Sequence, residues 1–309
     1  MPGDALDAAA FRSLYRHLEQ TTEWGASDRR GALNNITSAR VLSAVGEVRS
    51  GRTVSLARPV EDRPSADNPE PCRHEMIGGA ADHTAGAGLN FAMDRFAMNV
   101  HGNADSHIDA LCHVIYNSRL YNNVSVDTIT PTGASALSID VAANGIVGRG
   151  VLLDIPLVRG EPWLEPGDHV TVDDLAAAES TEHLRVDRGD LLFVRVGHSR
   201  RRAEVGPWNA ADARAGLHPT AMEFLAERRV SVLGSDGNND TAPSTTEGVD
   251  FPVHVLAINA MGLHLLDYLQ FEDLAEVCQQ DNRWSFLCVI APLRLPAATG
   301  SPVNPIAIL

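Results

Sequence analysis

The sequence predicts an α/β layered fold with parallel strands, and three apolar segments carry this prediction. IVGRGVLLDIPL at 146–157, DLLFVRVG at 190–197 and VSVLGSDG at 230–237 are rich in β-branched and other apolar residues. Runs of this kind are typical of strands that are buried on both faces. HPTAMEFLAER, between the last two segments, has the spacing of an amphipathic helix. Strands that alternate with helices indicate a layered domain containing parallel strands.

The N-terminal region is predicted to be helical. Apolar residues between positions 5 and 20 recur at helical spacing, and Thr37 or Ser38 is a suitable N-cap for a second helix that ends at Gly51. The absence of repeats or a low-complexity linker favours one domain over 1–309, with residues 1–50 as its N-terminal helical extension.

The middle of the chain is predicted to contain strands on either side of a long loop. RTVSLARPV at 52–60, DRFAMNVHG at 94–102 and RWSFLCVIAPL at 283–293 are typical of strands. Residues 61–90 are rich in Pro, Gly and Asp and show little periodicity. Long loops inside compact domains are often functional, so we expect an active-site loop over 61–90.

Charge and composition exclude several classes of function. The chain has 309 residues, 44% hydrophobic and 21% charged, as in soluble globular proteins. Its 25 Lys and Arg against 40 Asp and Glu give a net charge of −15, which repels a phosphate backbone. The short basic run SRRR at 199–202 is predicted to be a solvated loop or an ion-pair site. We therefore expect a small-molecule substrate rather than a nucleic acid.

No segment of the sequence predicts a membrane span or a secretory signal. No apolar run approaches the roughly 18 residues that a transmembrane helix needs. The N-terminal stretch carries early acidic residues and no apolar core, so the expected location is the cytoplasm. The four cysteines lack C-x-x-C spacing and are expected to be free thiols. Cys112, beside the histidines, could be a nucleophile, but its apolar surroundings favour a buried position.

Chemistry-bearing residues concentrate in NVHGNADSHIDALCHV at 99–114. His107 and Asp109 point to the same side of an extended segment. If a helix opens at Asp109, His113 lies one turn further on the same face. Imidazole and carboxylate are ligands for Zn²⁺ or Mn²⁺, and an ion held by them activates water for hydrolysis. The alternative is a set of hydrogen-bonded structural histidines, but the combined pattern favours a site.

Other polar residues have both functional and structural interpretations. Asp236 and Asp240 follow a buried strand, where α/β folds present groups to ligands, although turn-forming residues need no function there. Arg195 lies in an apolar strand and must be paired if buried; it either binds a carboxylate of the substrate or balances an aspartate. His264 has apolar neighbours, which favour a core or rim position.

The stretch SHIDALCHV resembles the H-x-G-T-H-x-D-x-x-x-H signature of the cyclase family. This family of metal-dependent hydrolases includes bacterial kynurenine formamidase and isatin hydrolase. EWGASDRRGALNNIT, RGDLLFVRVG, VSVLGSD, FPVHVLAINAMGLHLLD and TGSPVNPIA are similar to further family segments, so the likeness covers about residues 20 to 309 and follows the longer members of roughly 300 residues.

The resemblance implies a swivelling β/β/α fold, a homodimer or homotetramer, and one or two divalent ions, Zn or Mn. It also implies water attack on a cyclic amide or lactone, or on an N-acyl amide. His107 and Asp109 match metal ligands, His113 matches the general acid/base, and His254 matches a histidine of the second part of the site. Trp24 matches a substrate-contacting tryptophan.

Two positions depart from the family pattern. Asn103 stands where the family has its first histidine ligand, and Asp267 stands where it has a closing glutamate. His101 or Asp105 could replace the missing ligand, because each lies two residues from Asn103 and points the same way along a strand. We therefore expect a single ion or a weakened pair of ions, and a metal-free protein is the alternative. The departures leave two alternatives open, namely a ring-closing cyclase or dehydratase of secondary metabolism and a degenerate, non-catalytic ligand-binding protein.

Overall fold

The computed structural model describes residues 5–79 and 88–309, and most of its core is built around one mixed sheet. The described strands are β1 Thr53–Ser55, β2 Arg73–Gly78, β3 Met93–Ala97, β4 His107–Asp109, β5 Arg119–Leu120, β6 Val124–Ser125, β7 Ile129–Thr130, β8 Gly133–Ala134, β9 Ile146–Asp154, β10 His169–Val170, β11 Leu191–Arg195, β12 Gly216–Leu217, β13 Val232–Ser235, β14 His264–Asp267, β15 Ser285–Ile290, β16 Gly300–Pro302 and β17 Ile306–Ile308.

The described α-helices are α1 Ala8–Glu19, α2 Ser38–Val45, α3 Ile155–Arg159, α4 Val172–Thr181, α5 His198–Val205, α6 Ala221–Arg228, α7 Pro252–His254 and α8 Glu272–Asp281. Short 3₁₀ turns lie at Gly31–Asn35, Tyr121–Asn123, Val126–Thr128 and Ile139–Ala142. Helix α7 continues directly into a π-helical segment, Val255–Ala260. No helix among the described residues is both long enough and apolar enough to span a bilayer.

The main sheet has nine strands in the order β1-β17-β15-β9-β11-β13-β14-β4-β16. Its centre, β9-β11-β13-β14, is parallel, and the remaining neighbours pair antiparallel. All residues of β11, β13 and β14 are buried, as the apolar runs predict for strands covered on both faces. The predicted α/β layered fold with parallel strands is confirmed.

The N-terminal helices pack onto this sheet and its helices. Phe11, Leu14 and Leu18 of α1 are buried, and the helix contacts α6 and the π-helical segment. Thr37 is the N-cap of α2, as predicted, and its hydroxyl accepts a hydrogen bond from the Arg40 backbone. The predicted end of α2 at Gly51 is wrong, because the helix ends at Val45.

Two further predictions of local structure are corrected. The sequence predicts a loop throughout 61–90, but β2 lies in this range and pairs antiparallel with β3; residues 80–87 are outside the described part. The helix that we considered after Asp109 does not form. Instead, the backbone turns so that His113 N–H donates to Ala110 O at 2.9 Å, and Cys112 N–H donates to Leu137 O at 3.0 Å.

Candidate metal centre and active site

The candidate site lies where strands β4 and β14 pair. His107 is directly opposite Asp267 in this antiparallel pair. His107 and Asp109 alternate along β4 and therefore point to the same side, as predicted. Two segments that are 158 residues apart in sequence (267 − 109) thus place their functional side chains together.

Asp109 is at the centre of the site and is 1% exposed. Its Oδ1 lies 2.8 Å from His101 Nδ1 and 3.6 Å from His107 Nε2, and its Oδ2 lies 3.4 Å from His254 Nε2. Oδ2 nevertheless has no hydrogen-bond partner among the described residues. A buried carboxylate oxygen surrounded by imidazoles, with no donor of its own, is the feature that a bound cation would satisfy.

His254 is oriented by Asp240, which the sequence left open as a functional residue. Asp240 accepts hydrogen bonds from the Val253 and His254 backbones at 2.6 and 3.0 Å, and lies 2.5 Å from His254 Nδ1. This arrangement directs His254 Nε2 towards Asp109 and towards Asp267 Oδ2, which is 3.2 Å away. A carboxylate behind a ligating histidine is the usual way in which proteins fix its tautomer and ring orientation.

Asp267 and His107 are likewise held by neighbouring polar groups. Asp267 accepts hydrogen bonds from Asn238 Nδ2 at 2.7 Å and from the Asn239 backbone at 3.1 Å. His107 Nδ1 lies 2.8 Å from the Asp105 carbonyl oxygen, to which it must donate. That hydrogen bond leaves Nε2 of His107 unprotonated in the neutral ring and free to ligate.

His101 and His113 form the outer side of the site. Their rings stack with centroids 3.7 Å apart and an interplanar angle of 8°. One ligand atom each of His101, Asp109 and His113 lies within 4.8 Å of the others, as does one each of His107, Asp109 and Asp267. His101 and Asp105 are the two candidates to replace the histidine ligand that the family has at position 103. His101 contacts Asp109 at the centre of the site, whereas Asp105 accepts a hydrogen bond from His107 through its backbone carbonyl.

Asn103 lies in the cavity wall but already has a partner. Its Oδ1 accepts a hydrogen bond from the Tyr268 hydroxyl at 3.1 Å. A neutral amide oxygen that is already engaged is a weak ligand for a borderline divalent ion. The ligand role of Asn103 stays a prediction, and the geometry favours His101 in its place.

The surroundings shift the pKa values of these groups in opposite directions. Burial opposes charge on His254, but the carboxylates of Asp267, Asp109 and Asp240 raise its pKa well above the ordinary value. Burial likewise raises the pKa of the Asp109 carboxyl, but the surrounding histidines lower it well below the ordinary value. For His113, burial dominates and lowers the pKa to about 4. Near neutral pH, His113 is therefore an uncharged ring that can accept a proton.

This donor set fits a divalent ion. His107, Asp109, His254 and Asp267 converge on one small volume, and imidazole and carboxylate are the ligands that zinc and manganese accept. The raised pKa of His254 shows that the carboxylates draw a positive charge to this point.

The candidate metal site opens into a cavity of about 510 Å³. This volume is in the range of small-molecule sites. Apolar residues form much of its wall, and sequence reasoning missed them: they are Val114, Ile115, Tyr116, Val249, Phe251 and Val255. The only sequence signal was their position next to His113 and His254.

The two predicted substrate contacts lie elsewhere. Trp24 lines a separate small pocket with residues such as Glu23, Leu225 and Met261. Arg195 donates to Asp154 Oδ1 at 2.8 Å and to Glu272 Oε2 at 2.7 Å, so it balances one buried and one partly exposed acidic group. Substrate contact by Trp24 or Arg195 stays a prediction that this chain's cavity does not support.

The remaining candidates do not line the cavity. Asp236 accepts hydrogen bonds from the Val196 and His198 backbones at 2.7 and 2.8 Å, and burial raises its pKa to about 7. His264 is 0% exposed, and burial lowers its pKa to about 4. Cys112 is also buried, and burial raises the pKa of its thiol to about 11, which does not suit a nucleophile.

Comparison with known proteins points to one family. The model of the Cyclase family matches residues 35–239. A crystal structure described as a novel cyclase is 30% identical, covers 96% of this chain and 99% of its own, and superposes with a TM-score of 0.83. No curated protein matches the sequence.

Two further solved structures share the fold at lower identity. Isatin hydrolase A from Ralstonia solanacearum is 25% identical, covers 88% of this chain and 97% of its own, and has a TM-score of 0.56. A structure described as a potential metal-dependent hydrolase with cyclase activity is 20% identical, with coverages of 83% and 98% and a TM-score of 0.52.

Proposed function

This chain belongs to the cyclase family, and from that premise we propose that it is a metal-dependent hydrolase that opens a small cyclic amide or lactone, or cleaves an N-acyl amide. One observation carries the proposal. Asp109 Oδ2 is buried without a hydrogen-bond donor between His107, His254 and Asp267. The names of the hydrolases that share the fold support the same reaction class.

His107, Asp109, His254 and Asp267 would hold the ion, with His101 as a further donor beside Asp109. A divalent ion, Zn or Mn, supplies an activated water near neutral pH and polarises the carbonyl of the substrate. Asp240 fixes the ring of His254, and Asn238 and Asn239 fix the carboxylate of Asp267. Substitution of these supporting groups is therefore expected to weaken metal affinity.

His113 is proposed as the general acid/base. Its ring is uncharged near neutral pH, lines the cavity and lies against His101. In that position it takes a proton released during water attack and returns it to the leaving nitrogen or oxygen of the substrate. One ring nitrogen of His113 lies within 4.8 Å of ligand atoms of His101 and Asp109, which keeps this residue close to the proposed ion.

Metal dependence is tested by removing and restoring the ion. Protein stripped with chelator is expected to lose activity towards a panel of lactams, lactones and formamides, and to regain it with Zn²⁺ or Mn²⁺. Asp109→Asn is expected to lose both metal content and activity, because it removes a central ligand charge. Activity at full rate in chelator, with no metal by elemental analysis, would contradict the proposal.

The role of His113 is tested separately from metal binding. His113→Gln is expected to retain the metal content of the wild type while kcat falls by about 10²–10⁴-fold, the usual contribution of general acid/base catalysis. The exposed His17→Gln in α1 is the matched control and should leave both quantities unchanged. A His113→Gln variant with undiminished kcat would exclude this residue as the acid/base.

A further inference from the structure

The charge and polarity of the cavity walls restrict the substrate. Val114, Ile115, Tyr116, Val249 and Phe251 line the space next to the metal centre. Ile115 is 51% exposed and Phe251 is 46% exposed, although both are large and apolar. Apolar side chains left open at the mouth of a polar catalytic site indicate that the rest of the substrate is apolar.

No arginine or lysine lines this cavity within the described residues. The titratable side chains of the lining are instead carboxyls and imidazoles, namely Asp109, Asp250, Asp267, His101, His107, His113 and His254. The described lining therefore offers no guanidinium or ammonium group that could pair with a carboxylate on the substrate.

Arg214 is a cation close to the cavity wall, but it is committed elsewhere. Its guanidinium carbon lies 5.1 Å from the centre of the Phe251 ring, and the residue is 2% exposed. Its nitrogens donate to the backbone carbonyls of Asp240 and Ala210, each at 2.9 Å. It therefore supports the wall from behind without facing a ligand.

A bound ion would be held among carboxylates. Asp109, Asp240 and Asp267 are buried at the centre. Asp109 and Asp267 would contact the ion, and Asp240 fixes the ring of His254. These acidic groups oppose the positive charge of the ion. A carboxylate brought into this space would lose its hydration and meet like charge.

We propose that the substrate is an uncharged, mainly apolar lactam, lactone or aryl amide of about one to two rings, and that the cavity discriminates against carboxylate-bearing compounds of the same shape. The inference rests on the proposed hydrolase function and specifies its substrate class. Ile115 and Phe251 are the specificity-determining residues, because they present apolar surface at the mouth of the cavity.

The test compares probes that differ only by one negative charge. The metal-loaded protein is assayed with isatin against isatin-5-carboxylate, and with dihydrocoumarin against dihydrocoumarin-6-carboxylate. We expect kcat/KM to be at least about tenfold higher for the neutral member of each pair. Equal or higher values for the carboxylates would overturn the inference while leaving the hydrolase function intact.

A binding measurement separates failure of this inference from failure of the proposed function. Oxindole, a stable lactam, and oxindole-5-carboxylate are titrated calorimetrically into the metal-loaded protein. If no probe is hydrolysed, the hydrolase proposal fails, but tighter binding of neutral oxindole still supports an uncharged ligand. Absence of oxindole binding, or equal binding of both compounds, overturns the inference.

A substitution at the mouth of the cavity provides a second test of the preference for uncharged substrates. Ile115→Lys introduces the missing cation and is expected to reduce the neutral-to-carboxylate ratio of kcat/KM by at least about fivefold. Leu42→Lys is the matched control, because Leu42 is 74% exposed on α2, and it should leave the ratio unchanged. A ratio that is unaltered in Ile115→Lys, with metal content and folding retained, counts against the inference.

Discussion

Glu182 shows how a single buried carboxyl outside the active site links stability to pH. The residue follows the last turn of α4 and is 4% exposed. Its Oε1 accepts a hydrogen bond from the Asp154 backbone at 2.7 Å, whereas Oε2 has no partner among the described residues. Burial, with a smaller contribution from the Asp154 charge, raises the pKa of Glu182 to about 8.

Glu182→Gln is expected to stabilise the protein at alkaline pH. The folded state holds a proton that the unfolded chain releases near the ordinary pKa of glutamate, so the wild type loses stability as pH rises from that value to about 8. Glutamine mimics the protonated carboxyl and avoids this loss. Relative to wild type, the Tm should rise by about 5 °C at pH 8.5, with little difference at pH 5.

Thermal unfolding across this pH range measures the effect. Glu276→Gln, at an exposed position of α8, makes the same charge change and serves as the control. If the Tm advantage of Glu182→Gln were the same at pH 5 and pH 8.5, the glutamate would not be titrating between those values.

The positions of individual site residues could be predicted where local backbone geometry alone determines the direction of the side chain. His107 and Asp109 share one side because strand residues alternate, and this holds wherever the strand lies. The same rule could not choose between His101 and Asp105. That choice depends on the path of residues 101–106 before β4, which tertiary contacts such as Tyr268 to Asn103 determine.

At the scale of elements, the π-helical segment Val255–Ala260 connects the N-terminal helix to the active-site wall. Asn259 in this segment is 2% exposed. Its Oδ1 accepts a hydrogen bond from the Tyr15 hydroxyl of α1 at 2.8 Å. Its Nδ2 donates to Val114 O at 3.1 Å and to Arg119 O at 2.9 Å. One amide therefore fixes the stretch that carries the cavity residues from 114 to 116.

Asn259→Asp is expected to impair substrate binding without removing the metal. The change keeps the acceptor for Tyr15 but replaces the NH₂ group with an oxygen that faces two carbonyl oxygens, so residues 114–119 should move away. Because Val114, Ile115 and Tyr116 line the cavity, KM should rise by about tenfold while metal content is retained.

Tyr15→Phe is the matched control for this prediction. It removes only the hydrogen bond from α1 and leaves both donations of Asn259 intact, so its effect on KM should be much smaller. If Asn259→Asp lowered Tm but left KM unchanged, the residue would support the fold without positioning the cavity wall.

Secondary-structure elements were predicted correctly where a segment is apolar and is buried on both faces of the sheet. The strands β9, β11 and β13 lie at the apolar runs, because central parallel strands are buried on both faces. The stretch after Asp109 is apolar enough for a helix, yet it forms a turn whose backbone bonds to Leu137 and Ala110. Its conformation depends on a segment about 25 residues later, which local periodicity cannot show.

At the scale of the whole molecule, the hairpin of β2 and β3 is the part least covered by the rest of the described chain. Met76, Met93 and Phe96 are 62%, 51% and 57% exposed. Two-stranded hairpins are marginally stable in water unless one face packs against something else. Large apolar side chains left exposed on such a hairpin indicate a protein–protein interface.

The expected homodimer or homotetramer would cover this hairpin with a second copy of the chain. Met76 and Phe96 project from the same face, because the register pairs Met76 with Asp94 and His74 with Phe96. The same face carries a hydrogen bond between His74 Nε2 and Asp94 Oδ2, with the two atoms 2.9 Å apart. A face that combines apolar groups with hydrogen-bonding groups can be self-complementary across a twofold axis.

Phe96→Glu is therefore expected to lower the oligomeric state measured by sedimentation or light scattering, because it places a charge in the apolar contact. Val205→Glu, at a residue that is 61% exposed at the end of α5, is the control and should leave the oligomer intact. A Phe96→Glu variant with the same mass as wild type over a tenfold dilution would show that the hairpin lies outside the interface. The proposed metal site is built from β4, β14 and the residues that precede and follow them, so monomeric Phe96→Glu should still bind the ion. Loss of metal together with the oligomer would instead mean that the partner chain helps to complete the site.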